Sequence, residues 1–411
     1  MMANLLGGIG DAFADRNFRI YSVGAIVSWL SFFVQDVALA WITWDLTHST
    51  TWLAIIAVLD IAPNVLILPF GGVLADRFDR VRIVVVTHIL ALLQAATLAF
   101  LAYEGRLTIV ALAVLTFAHG AIHGFSVPGL FGMLPRFVAR DRLASAIAVN
   151  AAFTQFAIFA GPALAGWIML RYGAVAAFAT NVLGYAVYLG SVALLRTPAD
   201  FKSPTPTGKS VVGDFLDGLR YVVGHRGISA LLFLMLVGDG LAAALYEMLP
   251  AYADKVLGMG VDGMSTLLAA AGLGATAAAL WLAQGGAARA SAGRVLWAFL
   301  ALVLAIATLM LTGGLFVAVA LMLIYGAAGQ IRRTGTVALL QVSVDDGQRG
   351  RVMSTQFLLQ RAAAGIGTVA IGAAAEYGGL RTPMLIGAAL ALAAWIYTFK
   401  KRDRIAAAFR G

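Results

Sequence analysis

The chain has 411 residues, 61% of them hydrophobic and only 12% charged, with a formal net charge of +9. Ordinary soluble domains carry about twice that charged fraction, and the basic residues here fall in short runs between apolar blocks, which excludes a water-solvated enzyme and a nucleic-acid-binding face. Cysteine is absent, so disulfides, thiolate nucleophiles and cysteine-based metal or redox centres are excluded as well.

The opening stretch, MMANLLGGIGDAFADRNFR, lacks apolar length and does not read as a cleaved leader, so the first span is expected to direct insertion. Apolar segments then run over 18-45, 51-75, 83-103, 107-134, 143-170 and 174-195, and after a polar interval over 227-253, 262-284, 294-312, 314-342, 352-375 and 380-399. Each is long enough to cross hydrocarbon, which needs roughly 20 residues of helix. These twelve segments predict an all-α membrane protein. The interval TPADFKSPTPTGKS is expected to be a linker, followed by an interfacial amphipathic helix with Val212, Phe215, Leu216, Leu219, Val222 and Val223 on its apolar side. The expected organisation is therefore an N-terminal six-helix bundle over 1-196, a cytoplasmic linker over 197-226 and a C-terminal six-helix bundle over 227-411.

Basic residues favour the loops on one side, namely Asp76 to Arg82, Pro135 to Arg142, Arg196 to Arg226, Arg289 to Arg294 and Asp345 to Arg351, together with the tail after Phe399. By the positive-inside bias this side, with both termini, faces the cytoplasm. A shift of 206 positions aligns Val138 with Val344, Gly161 with Gly367, Gly166 with Gly372 and Gly173 with Gly379, as expected of two parallel, pseudo-symmetric halves.

Ionisable residues inside spans are costly and mark functional positions. In the first span, Asp36 shares a helical stripe with Trp29 and Phe33. A carboxylate withdrawn from water can exchange protons near neutral pH, so Asp36 is a proton-coupling candidate, against a structural ion pair or a water-facing residue. Asp60, followed by Pro63, reads as a brace for a bent helix or as a hydrogen-bonding partner of a neighbour. In the fourth span, His119 and His123 lie four apart on one face. They are candidates for cargo hydrogen bonding or proton relay, with helix packing as the alternative. No metal site is expected there, because the glutamate of HExxH is missing.

Gln155 in the fifth span is the 206-residue counterpart of Arg361 in the eleventh, and both are candidate cargo contacts. The seventh span offers Asp239 and Glu247 as further proton-coupling candidates, with Tyr246 near the face of Asp239. In the tenth, Tyr325, Gly329 and Arg332 share a stripe, and Arg332 with Arg333 could receive an anionic group bidentately. Neutralisation of a membrane carboxylate by a buried ion pair is the competing reading.

The loop GGVLADRFDRVRI after the second span resembles the signature of the major facilitator superfamily, through Gly72, Leu74, Asp76, Arg77, Arg80 and Arg82, with Asp79 where many members have glycine. Gly72 permits close helix approach, Asp76 can sit at a helix N-terminus, and Arg77 or Arg80 can pair across an interface. The run RGRVMS at Arg349 to Ser354, with the stretch around Gly161 and Pro162, resembles the exporter branch that includes siderophore and drug exporters.

This resemblance implies the major facilitator fold and alternating access about a midplane site, with gating by Gly72, Asp76, Arg77, Arg80, Gly161 and Pro162. It also implies proton-coupled export of a small amphipathic or anionic organic molecule from a bacterial-type cytoplasmic membrane, by a chain functional as a monomer and needing no cofactor. Proton-coupled uptake of an organic anion and lipid flipping are the alternatives. No phosphate-binding loop, nucleophile elbow or metalloprotease motif is present, so an enzyme is not expected.

Overall fold

The computed structural model describes residues 13–138, 142–195, 219–285, 291–344 and 346–400. They form long helices: α1 (Arg16–Thr47), α2 (Thr50–Arg77), α3 (Arg80–Tyr103), α4 (Ile109–Phe137) and a 51-residue element, Leu143–Ala193. Gly173 interrupts that element with φ 75° and ψ −178°, a conformation that glycine alone adopts readily, and divides it into α5 (143–172) and α6 (174–193). Then follow α7 (Arg226–Lys255), α8 (Gly260–Gly285), α9 (Ala292–Leu311), α10 (Leu315–Ser343), α11 (Asp346–Gly378) and α12 (Arg381–Lys400). Among the described residues, eleven elements are long and apolar enough to span a membrane, and the break at Gly173 resolves them into the twelve segments expected from hydropathy.

Short polar residues set the helix starts. Asp79 accepts hydrogen bonds from the backbone N–H groups of Val81 and Arg82 at 2.7 and 3.1 Å, Thr108 caps α4, His225 caps α7 and Ser291 caps α9. The capping carboxylate after α2 is thus Asp79, whereas Asp76 lies in the last turn of α2 rather than at a helix N-terminus.

Two compact units result. The first comprises Met1–Leu46 with Leu59–Thr207, the second Thr47–Val58 with Gly208–Gly411, so the opening turns of α2 belong with the second. In the first unit α3 packs on α4 and on the α5–α6 element, around Phe18, Tyr21, Val84, Met133 and Tyr188. In the second, α7 packs on α11 and α10 lies against α8 and α9. Val222, Ile228, Leu232, Leu340 and Val352 form part of that unit's core. Of the amphipathic segment expected before α7, 219–224 is helical and Val222 is buried; its earlier part, with most of the 197–226 linker, lies outside the described residues. Large apolar side chains such as Leu66, Phe70, Leu311 and Phe316 face outward, as lipid contact requires.

Close approach depends on glycine at several crossings. A Cβ on Gly161 would come 2.4 Å from Cβ of Phe33 on α1, and one on Gly367 would come 2.3 Å from the carbonyl oxygen of Gly240 on α7. Gly173 and Gly379, also superposed by the 206-residue shift, both have positive φ.

Candidate functional site

In the first unit, polar side chains meet in two rungs between α2 and α4. Nδ1 of His119 lies 2.9 Å from Oδ1 of Asp60, and one turn along Nδ1 of His123 lies 2.8 Å from Nδ2 of Asn64. Both pairs are separated by 59 residues. On each helix the two members are four apart, so they stand on one face one above the other. The helices approach closely because Gly120 and Gly124 lie at the crossing, where a Cβ would come 2.2 Å from the carbonyl oxygen of Asp60 and 2.8 Å from that of Asn64.

The two rungs differ chemically. An amide Nδ2 only donates, so in this pairing Nδ1 of His123 accepts. An ionised carboxylate only accepts, so Nδ1 of His119 carries a hydrogen and donates to Asp60. The other nitrogen of His119, Nε2, lies 3.4 Å from the hydroxyl of Tyr185 on α6. Tyr185 is braced edge-on by His88 of α3, which also stacks on Tyr188 at 4.3 Å. Phe32 of α1 covers both rungs, with ring centroids 5.7 Å from His119 and 5.8 Å from His123, and Trp29 contacts Phe32 and Phe33. Asp36 is half-buried on α1 within electrostatic range of His119.

In the second unit, Arg332 of α10 donates through Nη2 to Oδ1 of Asp239 on α7, and both side chains are almost wholly buried. Its Nη1 donates to the carbonyl of Met235 at 3.4 Å. Among the described residues, Nε of Arg332 and Oδ2 of Asp239 have no hydrogen-bonding partner. Gly238 leaves room for this guanidinium, since a Cβ there would lie 3.3 Å from its Cζ. Tyr325 donates to the carbonyl of Ala242 at 2.9 Å and lies within electrostatic range of Arg332, Arg333, Asp239 and Glu247. Both readings of Arg332 were open in the sequence; the geometry here is that of the buried ion pair.

The remaining candidates are more dispersed. Tyr246 and Glu247 are half-buried on α7, Arg333 is exposed, and Arg361 is exposed with its guanidinium 5.5 Å from the Phe357 ring centroid. Arg80 is half-buried at the start of α3, and Gly161 and Pro162 are buried in α5. The side chains of Asp76, Arg77 and Gln155, and the surroundings of Gly72, lie outside the described set. For Asp60 the sequence allows a brace or a hydrogen bond to a neighbour, and the geometry is the second; Asn64, Phe32 and Tyr185 were passed over. The available signal was that Asp60 and Asn64 repeat the four-residue spacing of His119 and His123.

Similar proteins fix the class. The family described as "Transmembrane secretion effector", within the major facilitator superfamily, matches residues 11–408. Macrolide efflux protein A of Streptococcus pyogenes is 20% identical over 226 residues, covering 54% of this chain and 56% of that protein. The Staphyloferrin A transporter of Staphylococcus aureus is 22% identical over 185 residues, covering 45% and 46%. The matched stretches thus span about half the length of each of these relatives.

Among solved structures, a bacterial homologue of the lysosomal transporter Spinster, inward-facing and unoccupied, superposes with TM-score 0.72 at 14% identity, covering 96% of this chain and 97% of that one. The nucleoside transporter NupG superposes with TM-score 0.72 at 13% identity, covering 94% and 98%. At these identities the likeness is one of fold. A multi-pass helical fold and a family match over nearly the whole sequence lead to one assignment: this chain belongs to the transmembrane secretion effector family of major facilitator transporters, and is a secondary transporter rather than an enzyme.

Proposed function

We propose that this protein exports a small amphipathic organic molecule, macrolide-like or siderophore-like, by alternating access driven by proton influx. The observation that carries the reading is the family match over residues 11–408 to secretion proteins, in a chain whose membrane helices enclose titratable side chains. Export is supported by the efflux relatives, and proton coupling by carboxylates and imidazoles inside apolar helices, where a change of protonation alters the relative stability of two states.

The protein works as a monomer in a bacterial cytoplasmic membrane, with both termini in the cytoplasm, as the basic loop at Arg80 and Arg82 favours. Gly72, Asp76, Arg77 and Arg80 act at the gate, and Gly161 and Pro162 set the contact of α5 with α1. Cargo contacts come from Trp29, His123 and Gln155 in the first unit and from Tyr246, Arg333 and Arg361 in the second.

The test uses everted membrane vesicles energised by respiration, with radiolabelled erythromycin and staphyloferrin A as probes. Accumulation above empty-vector vesicles, abolished by the proton/potassium exchanger nigericin, is the expected result. Accumulation in right-side-out vesicles instead would establish uptake, and insensitivity to nigericin would remove the proton from the mechanism.

A further inference from the structure

We propose that Asp60, His119 and Tyr185 together form the proton-binding site of this transporter, with the proton carried on Nε2 of His119. The assignment rests on the coupled-transport reading above and deepens it by naming the group that loads and releases the proton.

Two buried charge pairs are available, one in each unit, and their chemistry separates them. Asp239 is held by a guanidinium that stays protonated throughout the physiological range, and neither side chain is open to water. Protonating Asp239 would leave a buried, permanently charged guanidinium without its counter-charge. Asp60 is held by an imidazole, whose ordinary titration falls in the range a cell traverses. Its side chain is 37% exposed while that of His119 is 10% exposed, so the carboxylate is the more accessible member of the pair and the imidazole stays enclosed.

The enclosing partners suit both protonation states. With Asp60 ionised, Nδ1 of His119 keeps its hydrogen and Nε2 is the atom that exchanges. When Nε2 is bare it accepts from the Tyr185 hydroxyl; when it gains a proton it donates to the same oxygen, and the hydroxyl rotates to serve as acceptor. One proton is taken up, no other bond is made or broken, and neither state leaves a buried nitrogen without a partner.

Every neighbouring element contributes to the surroundings: Asp36 and Phe32 from α1, Asn64 beside Asp60 on α2, His88 behind Tyr185 on α3, His123 on α4 and Tyr185 on α6. Asp36 places a second carboxylate within electrostatic range of His119, and His123 is held by Asn64 one turn away. Helix position is coupled to the proton because the pair spans α2 and α4 at a glycine crossing. Strengthening that ion pair on protonation favours the conformation in which the two helices remain in contact.

The experiment is infrared pH-difference spectroscopy on the full chain, labelled with ring-13C histidine and reconstituted in phospholipid vesicles, without cargo. Over about pH 5 to 8, wild type is expected to show an imidazole band whose titration is missing in His119→Gln and displaced in Asp60→Asn and Tyr185→Phe. Asp60→Glu, which keeps the carboxylate, is expected to restore it. Unchanged histidine titration in folded His119→Gln would overturn the assignment. Should that variant fail to fold, an unchanged titration in both Asp60→Asn and Tyr185→Phe would overturn it equally.

A second measurement, in everted vesicles with erythromycin, is expected to show proton-driven accumulation reduced at least tenfold in His119→Gln while cargo exchange in the absence of a gradient persists, a change of about the size of typical site-to-site coupling. Loss of exchange along with accumulation would make His119 a cargo-binding residue instead. If wild type moves no erythromycin, the proposed cargo class fails, and the spectra still decide the proton site.

Discussion

His119 and Asp60 stand 2.9 Å apart although 59 residues separate them, and the same offset brings His123 to Asn64. Parallel passage of α2 and α4, with polar residues four apart on each, makes the second rung a geometric consequence of the first. The glycines that permit the rungs are therefore as necessary to the site as its polar groups.

Gly120→Ala tests that dependence. A methyl group 2.2 Å from the carbonyl oxygen of Asp60 forces α2 and α4 apart. Overpacking of this kind costs about 1–3 kcal/mol. The expected outcome is a lower thermal unfolding temperature, followed by tryptophan fluorescence, together with a weakened His119 titration. Gly365→Ala, where a Cβ would meet nothing within 4 Å, is expected to leave both unchanged.

Removing one member of the pair between Arg332 and Asp239 leaves the other as an uncompensated charge among apolar side chains. Arg332→Met is expected to destabilise the protein by about 3–5 kcal/mol, whereas Arg332→Met with Asp239→Leu recovers most of the loss. Chemical denaturation of the detergent-solubilised variants in a double-mutant cycle measures the coupling. Additive effects would show that the two side chains do not interact.

Glu376 of α11 closes the start of α2. Its Oε2 accepts from the Ser49 hydroxyl at 2.9 Å, the Thr50 hydroxyl at 3.1 Å and the backbone N–H of Thr51 at 3.2 Å. The carboxylate thus serves as a cap supplied by a distant helix, and Glu376→Ala is expected to cost about 0.5–2 kcal/mol, as loss of a cap does. Hydrogen–deuterium exchange localised to residues 49–55 reads it: faster exchange there, with other spans unchanged, is the expected pattern.

Gly173→Ala would place a side chain at φ 75° and ψ −178°. Strain of about 1–3 kcal/mol is expected although nothing lies within 4 Å of the added methyl group. A drop in unfolding temperature would identify backbone strain, since no packing contact is available to explain it.

The number and limits of the helices were legible because hydropathy reports directly on the solvent of each segment. Asp36, His119, Asp239 and Arg332 stood out because a charge within an apolar run is rare. What sequence alone left open was the pairing. Periodicity identifies the face of a helix but not the helix opposite, so Asp60 read as a brace or as the partner of an unnamed neighbour, and nothing singled out Tyr185. Arg332 was compatible with either a cargo anion or Asp239, because a stripe on α10 carries no information about its distance from α7. The break at Gly173 was legible as a boundary between two apolar runs, though not that a single residue makes it.

That single residue has a mechanical consequence. Gly173 joins α5 to α6, and Gly379, with φ 69°, joins α11 to α12 with one further residue. Joints this short contain no slack, so each helix pair is pinned at one end like the arms of a pair of tongs. Any displacement that travels along α5 or α11 is handed to its partner at the joint and grows toward the far ends. The amplitude available to these pairs is set by a lever arm about one membrane thickness long.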